Sequence, residues 1–177
     1  ADRLADRYDL PLVSVFTGWY AALRLAVDGH RAEAEAAYRA ADVRLAGSGM
    51  PGMHEGLLGL ALLSLGRHGP DENWGPYEPW IRPLLLLSEG SREEAAAALR
   101  SLPESPHDPL REARLCLAAR AALALGDRAA TGRIHDQLRP ASGELAGAGS
   151  GVLTFGPVDD CLAALGEHAV PVSRRSR

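Results

Sequence analysis

Apolar residues recur along this chain in steps of three and four, and almost nowhere in steps of two. From Leu12 to Asp28, the residues Phe16, Trp19, Tyr20, Leu23 and Val27 return at that spacing, which predicts a helix entered through Pro11 and stopped at Gly29. A second helix is predicted from His30 to Ala46, closed by Gly47 and Gly49. The link "DGHR" between the two is so short that they must pack antiparallel. A third is expected from Gly52 to Gly66, with Leu57, Leu60, Ala61 and Ser64 on one face. The pattern then breaks at the aromatic, proline-punctuated "GPDENWGPYEPWIRP". It resumes at Leu84 to Glu89 and, after a "GS" turn, in "REEAAAALRSL". Pro109 starts the next helix, "PLREARLCLAARAALALG", where Asp108 is placed to cap because its carboxylate can accept the first free amide hydrogens. "GD" at 126 and 127 turns the chain into a helix from Ala129 to Leu138, and a glycine-rich stretch follows. Isoleucine occurs only at 81 and 134 and no run alternates cleanly, so the chain reads as all-α.

The form helix, Gly-centred turn, helix recurs at unequal intervals. In "WYAALRLAVDGHRAEAEAAYRAA", Ala22 precedes Leu25, and Ala34, Tyr38 and Ala41 follow at steps of four and three. That is the spacing of the tetratricopeptide repeat, where small residues let two helices approach and the aromatic fills the groove between neighbours. Ala118, Ala121, Ala130 and Ile134 fall at equivalent places. In "LLLLSEGSREEAAAALRSL" only the second half fits, through Ala95, Leu99 and Leu102, because Pro79 and Pro83 disturb the first. The expected fold is an array of about seven to nine helices, antiparallel pairs stacked as a right-handed TPR-like α-solenoid. A generic antiparallel bundle uses the same alanine spacing and stays open as the alternative.

The 177 residues, 46% hydrophobic and 24% charged, suit one soluble domain, expected over 1–170, with 171–177 as a disordered basic tail ending in "RRSR". A formal net charge of −4 argues against direct contact with nucleic acid, which needs clustered base. All 19 basic residues are arginine, the codon bias of a GC-rich genome, and this lowers the weight of any single one. Cys116 and Cys161 are far apart in sequence and sit in apolar helical contexts, which predicts buried free thiols and fits a reducing cytoplasm. No run reaches the ~18 apolar residues of a membrane span. The first residue is not Met, and "ADRLADRYDL" already has helical spacing, so a piece of something longer is expected.

The stretch "GELAGAGSGVLTFGPVDDCL" crowds glycines before an apolar run, as nucleotide loops do. A phosphate loop needs Lys and Ser/Thr after its last glycine, but Gly151 is followed by Val152, Leu153 and Thr154. The dinucleotide fingerprint would need a third glycine at 152 and a preceding strand. An ordered inter-repeat loop without a bound cofactor is therefore expected. His54 and Glu55 lack the second histidine of a zinc protease helix, and His30, His68, His107, His135 and His168 have no ligand spacing. The "HD" pairs at 107 and 135 resemble phosphohydrolase motifs only as dipeptides. No metal site and no catalytic acid–base pair is predicted, so the chain reads as a non-enzyme. Trp74, Tyr77 and Trp80, spaced by threes among Pro70, Pro76, Pro79 and Pro83, are the candidate partner-binding residues, with Trp19 as a further one. The opposing reading, which the burial habit of large aromatics favours, tucks Trp80 and Tyr77 under the flanking helices, with Asp71, Glu72 and Glu78 as a solvated rim.

"LRPASGELAGAGSGVLTFGPVDDCLAALG" has a helix ending at Leu138 and Pro140, a glycine cluster, then Gly156-Pro157-Val158 opening a helix with Leu162 and Leu165. It resembles the last part of the C-terminal repeat region of large actinobacterial transcriptional regulators of the SARP and large LuxR types. The opening "ADRLADRYDLPLVSVFTGWYAALRLAVDGHRAEAEAAYRAA" is similar to the same region. The likeness covers most of the chain and is weakest between residues 66 and 90. It departs at "HAVPVSRRSR", where relatives continue into a further helix. The resemblance implies a regulatory, signal-sensing domain that relays a protein partner or a small-molecule signal to neighbouring ATPase and DNA-binding domains. A small-molecule receptor with Trp74, Trp80 or Trp19 as its floor is the rival expectation.

Overall fold

The computed structural model describes residues 11–46, 55–67 and 73–169. The expected opening helical segment, the Gly47 and Gly49 stop, the start of the third helix at Gly52, His54, His68, Pro70, Asp71, Glu72 and the 171–177 tail lie outside them. Among the described residues there are eight α-helices and no strand. They are α1 Pro11–Val27, α2 Arg31–Ala46, α3 Leu57–Ser64, α4 Glu78–Ser88, α5 Arg92–Arg100, α6 Arg111–Leu125, α7 Arg128–Leu138 and α8 Val158–Ala169. The helices group into two compact units. One takes the chain up to Glu78 with Asp108–Leu110 and Leu145–Gly156; the other takes Pro79–His107, Arg111–Glu144 and the chain from Pro157.

One turn chemistry recurs. After α1, the His30 amide donates to Leu25 O (2.9 Å) and the Gly29 amide to Ala26 O (3.2 Å). The same two bonds run from Ser91 to Leu86 and Gly90 to Leu87, and from Asp127 to Ala122 and Gly126 to Leu123. Each is a Schellman stop, which satisfies the last helical carbonyls and puts one residue in the left-handed region, here Gly29 (φ 82), Gly90 (φ 83) and Gly126 (φ 70). Two residues after each of these glycines an arginine opens the next helix, giving "GHR", "GSR" and "GDR". Arg92, the arginine of the second, donates to Ala124 O (3.0 Å) and Leu125 O (2.8 Å) and so caps the end of α6 with a cation.

In the first unit α1 packs along α2, and α2 meets α3. Ala22, Ala34, Tyr38 and Ala41 are all buried, the small residues allowing close approach as their spacing predicts. The apolar arc of α1 is wider than its buried face: Val15, Trp19, Ala22 and Leu23 are buried, whereas Phe16, Tyr20 and Val27 stand exposed. In the second unit α6, α7 and α8 pack on one another and α5 packs on α6. Ala95, Leu99, Ala118, Ala121, Ala130 and Ile134 form its interior.

Two boundaries differ from expectation. α4 begins at Glu78 and runs through Pro83 instead of starting at Leu84. Pro83 is the sixth residue, past the unpaired first amides, so the helix loses the bond from residue 83 to residue 79 there, while Trp80, Ile81 and Pro83 are buried along it. α6 begins at Arg111, with the Leu110 amide bound to the Asp108 carboxylate (2.8 Å) in the turn before it. The residue that caps a helix in the usual manner is Asp127, accepting from the Ala130 amide (2.9 Å) at α7.

Gly56 (φ 81) precedes α3, and a Cβ there would overlap the carbonyl of Trp74. The stop glycine Gly29 has open space instead. Gly56→Ala is therefore expected to lower the unfolding free energy by more than about 2 kcal/mol, against about 1 kcal/mol for Gly29→Ala. Urea denaturation followed by circular dichroism checks this, and equal losses at the two positions would refute the close approach.

Candidate functional site

The four aromatics singled out from the sequence have different surroundings. Trp19 is 0% exposed, its ring 5.6 Å from that of Tyr38 between α1 and α2. The Trp19 Nε1 and Tyr38 hydroxyl have no hydrogen-bond partner among the described residues, and burial pushes the Tyr38 phenol up from its ordinary pKa. Trp74 is buried and Tyr77 half-buried, both at the short 3₁₀ turn Gly75–Tyr77, where the Asn73 carboxamide accepts from the Gly75 amide (2.9 Å). These three belong to the first unit, and Trp80, in α4, to the second.

Trp80 is 6% exposed and carries the guanidinium of Arg114 over its ring, 5.3 Å from the centroid. Arg114, the fourth residue of α6, is only 3% exposed. A buried cation needs fixed acceptors. Arg114 Nε donates to Ser105 Oγ (2.9 Å) and Nη2 to the Pro106 carbonyl (2.9 Å), so one side chain ties the stretch after α5 to α4 and α6. Composition does not mark Arg114, because all 19 Lys/Arg residues of the chain are arginine. The available signal was its position: "EARLCLAA" sets one arginine inside an apolar run, where a helix is to be buried.

Beside this cation–π pair opens a cleft of about 480 Å³ within the second unit. Trp80, Leu99, Leu115, Ala118 and Ile134 form its floor and walls. Arg100, Glu104, Arg133 and Gln137 line it as well, and all four are exposed. Ala130, Arg133, Ile134 and Gln137 reach it together because steps of three and four place them on one face of α7. The cleft thus joins an aromatic and aliphatic bottom to two arginines and one glutamate at its edge, a set suited to an apolar group carrying negative charge.

The glycine stretch is closed upon itself. Ala146 donates to Gly156 O (2.9 Å) and Phe155 to Ala146 O (3.0 Å), and the amides of Ser150 and Gly151 bond to Gly147 O and Ala148 O. The Val152 and Gly156 amides bond to the Ser150 and Thr154 hydroxyls. These bonds close the loop from within. In the second unit, Asp159 in the first turn of α8 accepts from Ser142 Oγ (2.7 Å) and the Gly143 amide (3.2 Å), which gives the "GPVDD" sequence a structural role. His30 pairs with Glu33 (3.7 Å), His135 with Asp136 (3.6 Å), and His168 Nδ1 bonds to Ala164 O (3.0 Å). Among the described residues no three His, Cys, Asp or Glu side chains gather as metal ligands, and no helix is long and apolar enough to cross a membrane. No protein-family model matches the chain, and neither a curated protein nor a solved structure matches it.

Arg114→Met keeps the stem but strands Ser105 and Pro106 without their donor, and is expected to cost about 2–3 kcal/mol in thermal or urea unfolding. Arg114→Lys should recover less than half, because an ammonium cannot stack flat on Trp80 while serving both acceptors. Full recovery by lysine would mean that charge alone, not the planar fork, is what the site uses.

Proposed function

We propose that this chain is a non-catalytic recognition region, a TPR-like array of helical pairs that serves as the regulatory, partner-binding part of a multidomain transcriptional regulator of the SARP or large LuxR kind. The reading rests on the cleft: an aromatic floor fixed from behind by a buried guanidinium, with charged side chains at its mouth. That is the chemistry of an anchor pocket, where one apolar group is enclosed and rim charges orient it. The recurring glycine stops, with an arginine opening each following helix, support the repeat-like part of the proposal. The resemblance of the "GPVDD" region supports the family. A protein segment, from a separate partner or from adjoining ATPase or DNA-binding domains, is the proposed occupant, and a cytoplasmic location goes with it. Nucleic acid is a poor occupant for a chain of net charge −4.

A second reading is favoured by one observation. At about 480 Å³ the cleft falls in the size range of small-ligand sites, so a small anionic signal molecule fits the same floor and rim.

The test is to pan a displayed peptide library on the wild-type chain and on Arg100→Glu/Arg133→Glu, whose changes are exposed and leave the floor intact. Wild type is expected to select peptides that set an aromatic or large aliphatic residue beside acidic ones, and the double variant to bind them at least about tenfold more weakly. Selection of no peptide, together with a thermal shift by small aromatic carboxylates, would move the assignment to the receptor reading. Peptide binding unchanged by the charge reversal would remove the cleft from the account.

A further inference from the structure

Cys116 and Cys161, distant in sequence, are brought together in the second unit. Cys116 lies in α6 and Cys161 is the fourth residue of α8, and these helices pack on each other. Both are free thiols, and the Cys116 thiol donates a hydrogen bond to the Cys161 sulfur. They differ in access: Cys116 is 4% exposed, whereas Cys161 is half-buried. Neither thiol is used by the cleft, which is lined from α6 by Leu115 and Ala118.

We propose that Cys116 and Cys161 form a dithiol–disulfide site, with Cys161 as the attacking thiol and Cys116 as the resolving one, whose co-reactant is a low-molecular-weight disulfide. A thiol that is reachable and has a second thiol beside it is the better placed of the pair to attack. The hydrogen bond from Cys116 lowers the pKa of Cys161 against the opposing effect of its burial, and the positive charge of Arg120, one turn beyond Cys116, acts in the same direction. The pKa of Cys116 is raised by that same bond and by burial, which makes it the weaker nucleophile of the two. Glu112, one turn before Cys116, adds to the rise.

In the first step the Cys161 thiolate attacks one sulfur of the small disulfide. Its S–S bond breaks, a mixed disulfide forms at Cys161 Sγ, and the released thiolate takes up a proton. In the second, Cys116 loses its proton to solvent and its thiolate attacks Cys161 Sγ, expelling the second small thiol. Two protein thiols become one disulfide, and the two electrons leave with the small disulfide as it becomes two thiols. The product joins α6 to α8 covalently, and both helices pack on α7, which supplies Arg133 and Ile134 to the cleft.

The chain, reduced and freed of reductant, is incubated with bis(2-hydroxyethyl) disulfide and followed by intact mass and by mapping of thiols alkylated before and after reduction. The expected result is a monomer lighter by about 2 Da with a Cys116–Cys161 link and no retained adduct. Cys116→Ser should trap one adduct on Cys161, and Cys161→Ser should take up adduct at least about tenfold more slowly. Persistence of both free thiols in the wild type overturns the proposal, as does an adduct that stays on Cys161 unresolved. Equal rates for the two serine variants would overturn the assignment of roles.

Discussion

The second unit depends on a charge sealed away from water. Burying the guanidinium of Arg114 to 3% exposure requires that its neighbours be arranged around it. Trp80 supplies a π face, and Ser105 and the Pro106 carbonyl supply oxygen acceptors. Those demands position α4 relative to α6, and they order the stretch after α5, which has no helix of its own. The cleft follows from the same arrangement. Its floor is the tryptophan that the cation holds, and its wall includes the serine that the cation binds.

The helices are arranged by a different and more local device. A glycine in the left-handed region ends α1, α4 and α6, and the next helix begins two residues later with arginine. Such a stop fixes the exit direction of the chain without tertiary contacts, so the turns can form before the units are packed. The alanine-rich faces then allow close approach. Ala22, Ala34 and Ala41 in one unit, and Ala118, Ala121 and Ala130 in the other, are buried with little side-chain entropy to lose. The Trp19–Tyr38 pair adds bulk where alanine cannot, with two polar atoms left without partners among the described residues. Each such atom costs on the order of 1–3 kcal/mol, so that contact is held by its apolar area alone.

Local features were legible in the sequence and long-range ones were not. Helical periodicity, glycine stops and capping are set by residues within one turn of each other, which is why α1, α2 and α7 fall where their spacing puts them and α6 starts two residues past Pro109. Pro83 misled, because propensity alone does not register that burial of Trp80, Ile81 and Pro83 carries the helix through one interior proline. Trp80 was visible as an aromatic among prolines. The place of Arg114 inside the apolar run of α6 marks it for burial, but nothing local names Trp80, thirty-odd residues earlier, as its partner. The meeting of Cys116 with Cys161 likewise depends on how α6 and α8 pack, and no local rule contains that. The glycine stretch was readable only as a break between helices, since the bonds that close it, such as Ala146 to Gly156 and Phe155 to Ala146, depend on residues nine or ten apart.

The most direct test of the central claim is an NMR measurement on the Arg114 side chain, with the Nε–Hε resonance assigned by comparison with Arg114→Lys. A guanidinium stacked on Trp80 and bonded through Nε to Ser105 should show an Hε shifted upfield by the indole ring and exchanging with water at least about a hundredfold more slowly than the exposed Arg100 or Arg133. An Hε at the ordinary shift that exchanges as fast as theirs would mean the cation is not enclosed, and the cleft would lose the support on which its shape depends.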